Sequence, residues 1–284
     1  MMRLTAAVLV VLLGFGVLSA EEQVVVDGPK PAVEDKATEM AMEAQDPLSG
    51  LILVPAQYTY TSNVKPLNKP VQITLLQPTF PIEINDRWKI ITHTLIPYVS
   101  VPEIAGNKSS SGLGNITVQA LLSEKTKGKF TWGFGGSLML PTAKDTAPIS
   151  WTNTPTGYDT WAAGPAALGV FRDGPWVGGM LLNQMWSFAG AGETNLNTLQ
   201  IQPFIFFNIG QGFSFGYTPI ISVNWNRSAS QSTMLPVGLQ FGKLFMIGGV
   251  FPLGLSVGGS YNVIRPDYTP ESSVAAQLFF VLPE

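Results

Sequence analysis

The chain contains no cysteine and a single histidine, His93, in 284 residues. Without cysteine there is no disulfide framework, no thiolate metal site and no lipoprotein anchor. With one histidine, and no Asp or Glu at a comparable strand-centre position to orient it, neither a metal cluster nor a nucleophile-and-base pair can be assembled. His93 therefore reads as a satisfied or lumen-facing polar residue, and no catalytic residue, cofactor or metal is expected. Charge is also scarce: Asp, Glu, Lys and Arg make up 12% of the chain, about half the usual share of a soluble domain. Too little remains to solvate a free surface. Beyond the N-terminus, Gly, Pro, Asn or Gln interrupts every apolar run before it reaches the ~20 residues of a helical span, which excludes a polytopic helical membrane protein. No basic patch invites nucleic acid. Gly210, Gly212 and Gly216 lead into a strand pattern, whereas a phosphate loop would open a helix.

What the chain has in quantity is glycine (29), phenylalanine (16) and tryptophan (7), arranged in short segments of period-2 alternation. Across 214–225 one face reads Phe215, Tyr217, Pro219, Ile221, Val223 and Trp225, and the other Ser214, Gly216, Thr218, Ile220, Ser222 and Asn224. Successive strand side chains point to opposite faces, so an apolar face here opposes a small, largely polar one. Across 130–140 the split recurs, with Phe130, Trp132, Phe134, Leu138 and Leu140 against Thr131, Gly133, Gly135 and Ser137. A soluble sandwich also alternates, but its polar face is usually rich in Lys, Glu and Thr. An uncharged polar face, an apolar face and aromatics near strand ends are what a membrane barrel requires.

Twelve such segments are expected, at 51–61, 71–83, 88–101, 113–123, 129–140, 160–171, 176–188, 196–208, 213–225, 233–242, 246–261 and 272–282. Their connections alternate. Short links fall near Asn85-Asp86, Lys125 to Gly128, Asp173-Gly174, Gly210 to Gly212 and Lys243; longer, more polar ones at 62–70, 102–112, 141–159, 189–195, 226–232 and 262–271. Short periplasmic turns and longer extracellular loops are the outer-membrane plan. The fold class predicted is all-β: a single antiparallel transmembrane β-barrel of about twelve strands, with outer-membrane lipid as its surroundings. Charges agree, since Glu83, Asp86, Arg87 and Lys89 crowd one turn and Glu124, Lys125, Lys127 and Lys129 another, leaving strand centres almost bare. Trp and Tyr residues such as Tyr58, Trp88, Trp132, Trp176, Trp186 and Trp225 lie near strand ends and suit interfacial girdles.

Ahead of the barrel, Arg3, the apolar run 6–18 and the small pair Ser19-Ala20 form a signal-peptide pattern over 1–20, which implies export. Residues 21–46 hold eight acidic and two basic side chains. They read either as a disordered acidic leader, the preferred reading, or as a short helix within 33–45 with Ala37, Met40, Ala41 and Ala44 along one stripe. The barrel occupies 47–284 and is nearly neutral.

The lumen wall expected from this alternation includes Lys89, His93, Thr131, Ser137, Gln200, Gln202, Ser222, Asn224, Gln240, Ser256 and Gln277, with Gln57 beside them. Strong ion selectivity needs rings of charge or ordered carbonyls, and neither is evident. The leading expectation is passive passage of a small neutral or weakly polar solute. The alternative is a structural or surface-interaction barrel with a blocked lumen, and a third reading, a barrel enzyme using His93, ranks well below both. The loop 141–159, carrying Trp151 and Tyr158, folds either inward as a constriction or outward as a surface loop.

The stretches TLLQPTFPIEINDRWKIITHTLIPYV, SGLGNITVQALLS, WGFGGSLMLPTA, AAGPAALGVFRDGPWVGGMLLNQMWSFAG, LQIQPFIFF and LFFVLP together resemble the bacterial family labelled meta-pathway phenol-degradation proteins. Its members also carry transporter labels and, misleadingly, that of neuromedin U. The resemblance runs over about 47–283 and is most specific in LPTA and in the GPW and WSFAG pair. It implies an outer-membrane barrel that passes small, often aromatic or hydrophobic compounds. The chain departs from the family in having His93 where Arg is expected and Gln184 where His is expected.

Overall fold

The computed structural model describes residues 36–62, 64, 69–103, 109–126, 128–143, 160–190, 195–267 and 269–282. The signal pattern, residues 21–35 and most of the 141–159 loop, including Trp151 and Tyr158, lie outside the described residues.

Among the described residues, apart from one helix, α1 (Lys36–Ala44), the elements are antiparallel strands that close on themselves as a twelve-strand barrel. In chain order they are β1 (Ile52–Ser62), β2 (Gln72–Leu76 and Thr79–Glu83), β3 (Trp88–Val101), β4 (Ser110–Leu113 and Thr117–Glu124), β5 (Phe130–Met139) and β6 (Thr160–Asp173). There follow β7 (Trp176–Gly190), β8 (Asn197–Gly210), β9 (Phe213–Tyr217 and Ile221–Asn224), β10 (Thr233–Ile247), β11 (Phe251–Ile264) and β12 (Ser272–Leu282). Each strand pairs with its sequence neighbours, and β1 closes the ring on β12 from Ile52↔Leu282 to Ser62↔Ser272. The interruption in β2 falls at Gln77-Pro78 and that in β9 contains Pro219, since proline cannot donate to the ladder.

The alternation of short and long connections is present throughout, with one shift in position. A turn near Lys243 was expected, yet β10 continues through it to Ile247 and turns at Gly248 and Gly249, with φ +62° and +74°. A lysine within an apolar strand looked like punctuation. Its Nζ instead lies 3.6 Å from the Phe213 ring centroid and 5.2 Å from that of Phe245, so the aromatic faces and a reach toward the rim hold the cation.

Burial separates the two faces. Outward Phe134 and Leu239 are 60% and 61% exposed, whereas inward Ser137 and Gln119 are 5% and 3% exposed. An apolar exterior around a polar interior inverts a soluble protein and suits a hydrocarbon surround. Ring contacts of Trp88 with Trp132, Trp176 with Phe207, Phe207 with Phe215 and Phe251 with Phe280 belt the short-turn rim. Tyr58, Tyr60, Tyr98, Trp186, Trp225 and Tyr261 stand exposed toward the long-loop rim. Surface ion pairs Arg87–Glu124 and Lys125–Glu83, each at 2.8 Å, tie neighbouring short turns.

Backbone crowding fixes several glycines, Gly164 and Gly135 most tightly. A Cβ on Gly164 would sit 1.8 Å from Gln184 O, and one on Gly135 1.9 Å from Ala120 O. Gly164→Ala is expected to destabilise the barrel by about 1–3 kcal/mol through overpacking, whereas Gly259→Ala, whose Cβ would meet nothing nearer than 3.7 Å, is neutral. The temperature at which the heat-modified band of the folded barrel disappears on a gel checks both.

Candidate functional site

The acidic segment before the barrel was expected to be disordered by preference; its last part is instead helical and docked. In α1 the acids Glu39 and Glu43 fall away from a small-residue stripe, and Ala41 is buried at 4% exposure. The helix packs on β8 and β10. Composition suggested disorder because charge opposes burial; the stripe of small side chains allows the helix to approach the wall closely all the same. A Cβ on Gly212, which has φ +74°, would lie 3.2 Å from Ala37 Cβ.

Polar contacts fix this docking. Gly212 N–H donates to Thr38 Oγ1 at 2.9 Å. Gln45 Nε2 donates to Asn208 Oδ1 and Asn208 Nδ2 donates back to Gln45 Oε1, both at 3.0 Å. Asp46 is buried, accepts the Leu48 N–H at 2.8 Å and faces Arg172 at 3.7 Å. Burial pushes its carboxyl above the ordinary value, opposed by the Leu48 N–H and by the charges of Arg172 and Lys89. Lys89 Nζ donates to the carbonyls of Leu48 and Ser49 at 2.7 and 3.1 Å.

Leu48 then anchors an apolar cluster with Ile91, Leu121, Leu168, Val170, Val177 and Phe204. This filling occupies the side of the lumen formed by β3 to β8. Elsewhere in the interior lies a cavity of about 460 Å³, bordered at one end by Ala41, Ala44 and Gln45 and at the other by Thr61, Asn262 and Pro270. Helix α1 is thus its floor at the short-turn end. The size is that of a small-molecule site. Its wall combines glutamine amides with apolar side chains: Gln57, Gln77, Gln119, Gln200, Gln202, Gln240 and Gln277 stand with Leu75, Leu95, Phe204, Phe206 and Phe279. Register places Gln57, Gln277 and Ser256 side by side across three strands.

Of the residues expected to face the lumen, His93, Gln200, Gln202, Gln240, Ser256 and Gln277 border this cavity, as does Gln57. His93 Nδ1 and Gln119 Oε1 are 3.3 Å apart, and among the described residues no carboxylate is hydrogen-bonded to this histidine. Ser222 and Asn224 share the inward face of β9 nearer the long loops. Thr131 and Ser137 lie on the inward face of β5 with enclosed hydroxyls that have no hydrogen-bond partner among the described residues. Lys89 is tied to the α1–β1 connection. Gln184 proves to share its face with the exposed Leu182 and Trp186, outside the lumen, where it bonds Asn197 and receives the Trp225 indole N–H, both at 3.0 Å.

Sequence reasoning missed Gln77, Gln119, Gln45 and Asn208. Gln119 sits in TVQALLSE on the polar face with Thr117 and Ser123, a parity signal that could have found it, and Gln77 adjoins the Pro78 break. Gln45 and Asn208 meet across 163 positions of sequence, which no local pattern can reveal.

No protein-family model matches the sequence, and no curated protein sequence matches it. Solved structures do. An outer-membrane channel from Pseudomonas putida F1 superposes with a TM-score of 0.60 at 14% identity, over 82% of this chain and 96% of that one. What the two chains share is the fold, a closed antiparallel β-barrel. The NanC porin matches with a TM-score of 0.51 at 10% identity, over 81% of this chain and all of the other, 100%. These likenesses extend to architecture and agree with the fold implied by the family resemblance.

Two outcomes follow for the docked segment. Gln45→Leu leaves the Asn208 Oδ1 without its donor while Asn208 Nδ2 keeps Pro175 O at 3.1 Å, and Asn208→Leu removes both bonds of the Gln45 amide to it; each costs about 1–3 kcal/mol, and the double variant is expected to cost less than the sum; protease cleavage within 36–46 of the folded barrel reports each. Because the Asp46 value is raised on docking, docking stability is fully present below the ordinary carboxylate pKa and is lost as pH rises through the raised one. A fluorophore on Lys36→Cys should therefore gain mobility between acid and neutral pH, and this change should vanish in Asp46→Asn.

Proposed function

We propose that this chain is an outer-membrane channel for small neutral or hydrophobic solutes, including aromatic ones, which cross by passive diffusion through the cavity described above. The observation that carries the reading is the cavity wall: abundant amides, no ring of charge and several aromatic side chains. Glutamine amides exchange hydrogen bonds with a hydroxyl or carbonyl without demanding a charge, and Phe204, Phe206 and Phe279 offer ring faces. A phenol-like molecule presents both features, which is consistent with the family resemblance. The apolar exterior and aromatic belts fit residence in an outer membrane, with lipid as the surrounding partner.

Liposomes bearing the refolded protein should swell faster in small neutral solutes than in charged ones of equal size. Gln240→Glu with Gln277→Glu should shift the preference toward cations. Equal swelling for neutral and anionic solutes, unchanged in that variant, would contradict the neutral-wall account. A filled barrel that binds a partner through its loops is the second reading, favoured by α1 and the Leu48 cluster. No swelling by either the intact chain or a chain lacking 36–46 would select it.

A further inference from the structure

We infer that a row of inward polar side chains centred on Ser137 and Asn183 is a binding subsite for the hydroxyl group of a neutral solute lying in the cavity. The inference rests on the channel reading above and adds to it the residues that select the solute and the chemical group they select.

Register is the first observation. Thr79, His93, Gln119, Ser137 and Gly164 are successive cross-strand partners from β2 to β6. Two residues beyond Gly164, Ala166 pairs with Asn183, and the row continues through Gln200 to Ser222 on β9. One polar band therefore crosses the inner face of eight consecutive strands, with only small residues on β6. Apolar clusters enclose it, Ile91, Leu121 and Leu168 on its short-turn side and Met139, Ala162 and Met185 on its long-loop side.

Hydrogen bonding is the second. Ser137 Oγ and Asn183 Oδ1 have no hydrogen-bond partner among the described residues, and the same holds for Thr117 Oγ1 and Thr198 Oγ1, one step toward the long loops. All four residues are buried, Ser137 and Asn183 at 5% and 2% exposure. Buried oxygens are costly to leave unpaired, and four on one stretch of inner wall suit a group supplied from outside the chain. Their neighbours show where that group comes from. Asn183 Nδ2 donates to Gln200 Oε1 at 3.4 Å, and Gln119 stands opposite Ser137. Both glutamines border the cavity, as does His93. Opposed side chains on adjacent strands are about 5 Å apart at Cβ, so the unpartnered oxygens lie one side chain behind the cavity wall.

Chemistry is the third. The Asn183 oxygen can only accept, whereas serine and threonine hydroxyls both donate and accept. A solute O–H satisfies both kinds, donating to Asn183 Oδ1 while accepting from Ser137 Oγ. An ether oxygen offers no donor. An ammonium group offers no acceptor and would lose its water without gaining a counter-charge, since among the described residues no acid borders the cavity. The apolar remainder of the solute stays in the cavity against Leu95 and Phe204.

The test is saturation-transfer NMR on the refolded barrel in detergent, with cyclohexanol and cyclohexyl methyl ether as probes, because it reads binding without needing conduction. The wild-type barrel should give a saturable signal with the alcohol and one several-fold weaker with the ether, a comparison that needs no variant. Ser137→Ala and the near-isosteric Thr117→Val/Thr198→Val should each weaken alcohol binding several-fold. Their heat-modification temperature should stay level or rise, because each removes oxygens that the solute-free barrel leaves unpaired. A merely structural role gives the opposite sign, so a fall in that temperature would overturn the subsite. Equal binding of alcohol and ether, undiminished alcohol binding in the folded variants, or no alcohol binding by the wild type, as for a row that holds ordered water alone, would overturn it too. Liposome swelling in a small neutral sugar separates the two readings. Swelling without alcohol binding leaves the channel standing and removes the subsite, whereas hydroxyl-dependent binding without swelling supports the subsite and removes the channel.

Discussion

Closure of the hydrogen-bond ladder is the constraint on which everything else in this molecule depends. In a hydrocarbon surround every strand edge is a row of unpaired N–H and C=O groups, and only a sheet that returns to its first strand removes the edge. The pairing of β1 with β12 over eleven positions, from Ile52↔Leu282 to Ser62↔Ser272, supplies that closure. Once the ring is closed, each residue's parity decides whether it meets lipid or lumen. Nearly all other features follow: aromatics collect at the rims, charges retreat to the turns, and small or amide side chains fill the inward positions.

The interior is divided rather than uniformly open. Leu48 and the apolar side chains of β3 to β8 fill one side, whereas the other retains the glutamine-walled space. Helix α1 links these two regions, because the same segment that delivers Leu48 to the cluster also floors the cavity. Its docking uses amide pairing, a buried carboxylate and backbone carbonyls capturing Lys89, none of which needs a large apolar interface. Such contacts can be exchanged for water at modest cost, which suits a segment at a channel mouth better than a hydrophobic lock would.

Much of the fold was legible because period-2 alternation acts within a dozen residues. The strand 214–225 revealed its two faces outright, and alternating connection lengths ordered the strands around the ring. The Lys243 turn was misplaced because a cation held by ring faces looks, in one dimension, like a break. The lumen was legible in part: His93, Gln240 and Gln277 followed from parity, and Gln119, on one polar face with Thr117 and Ser123, carried the same signal. Long-range pairings such as Gln45 with Asn208 depend on register between distant segments. The docked helix was hidden by its acidic composition, since its inward stripe is made of small residues that carry little hydrophobic signal.

Single-channel conductance in a planar bilayer, recorded for the barrel with and without residues 36–46, tests the central claim most directly. The account requires steady, weakly ion-selective conductance that increases when the segment is removed, because a neutral passage then loses its floor. Silence from both barrels, each shown to be folded by heat-modifiable migration, would contradict it and mean that the interior is filled.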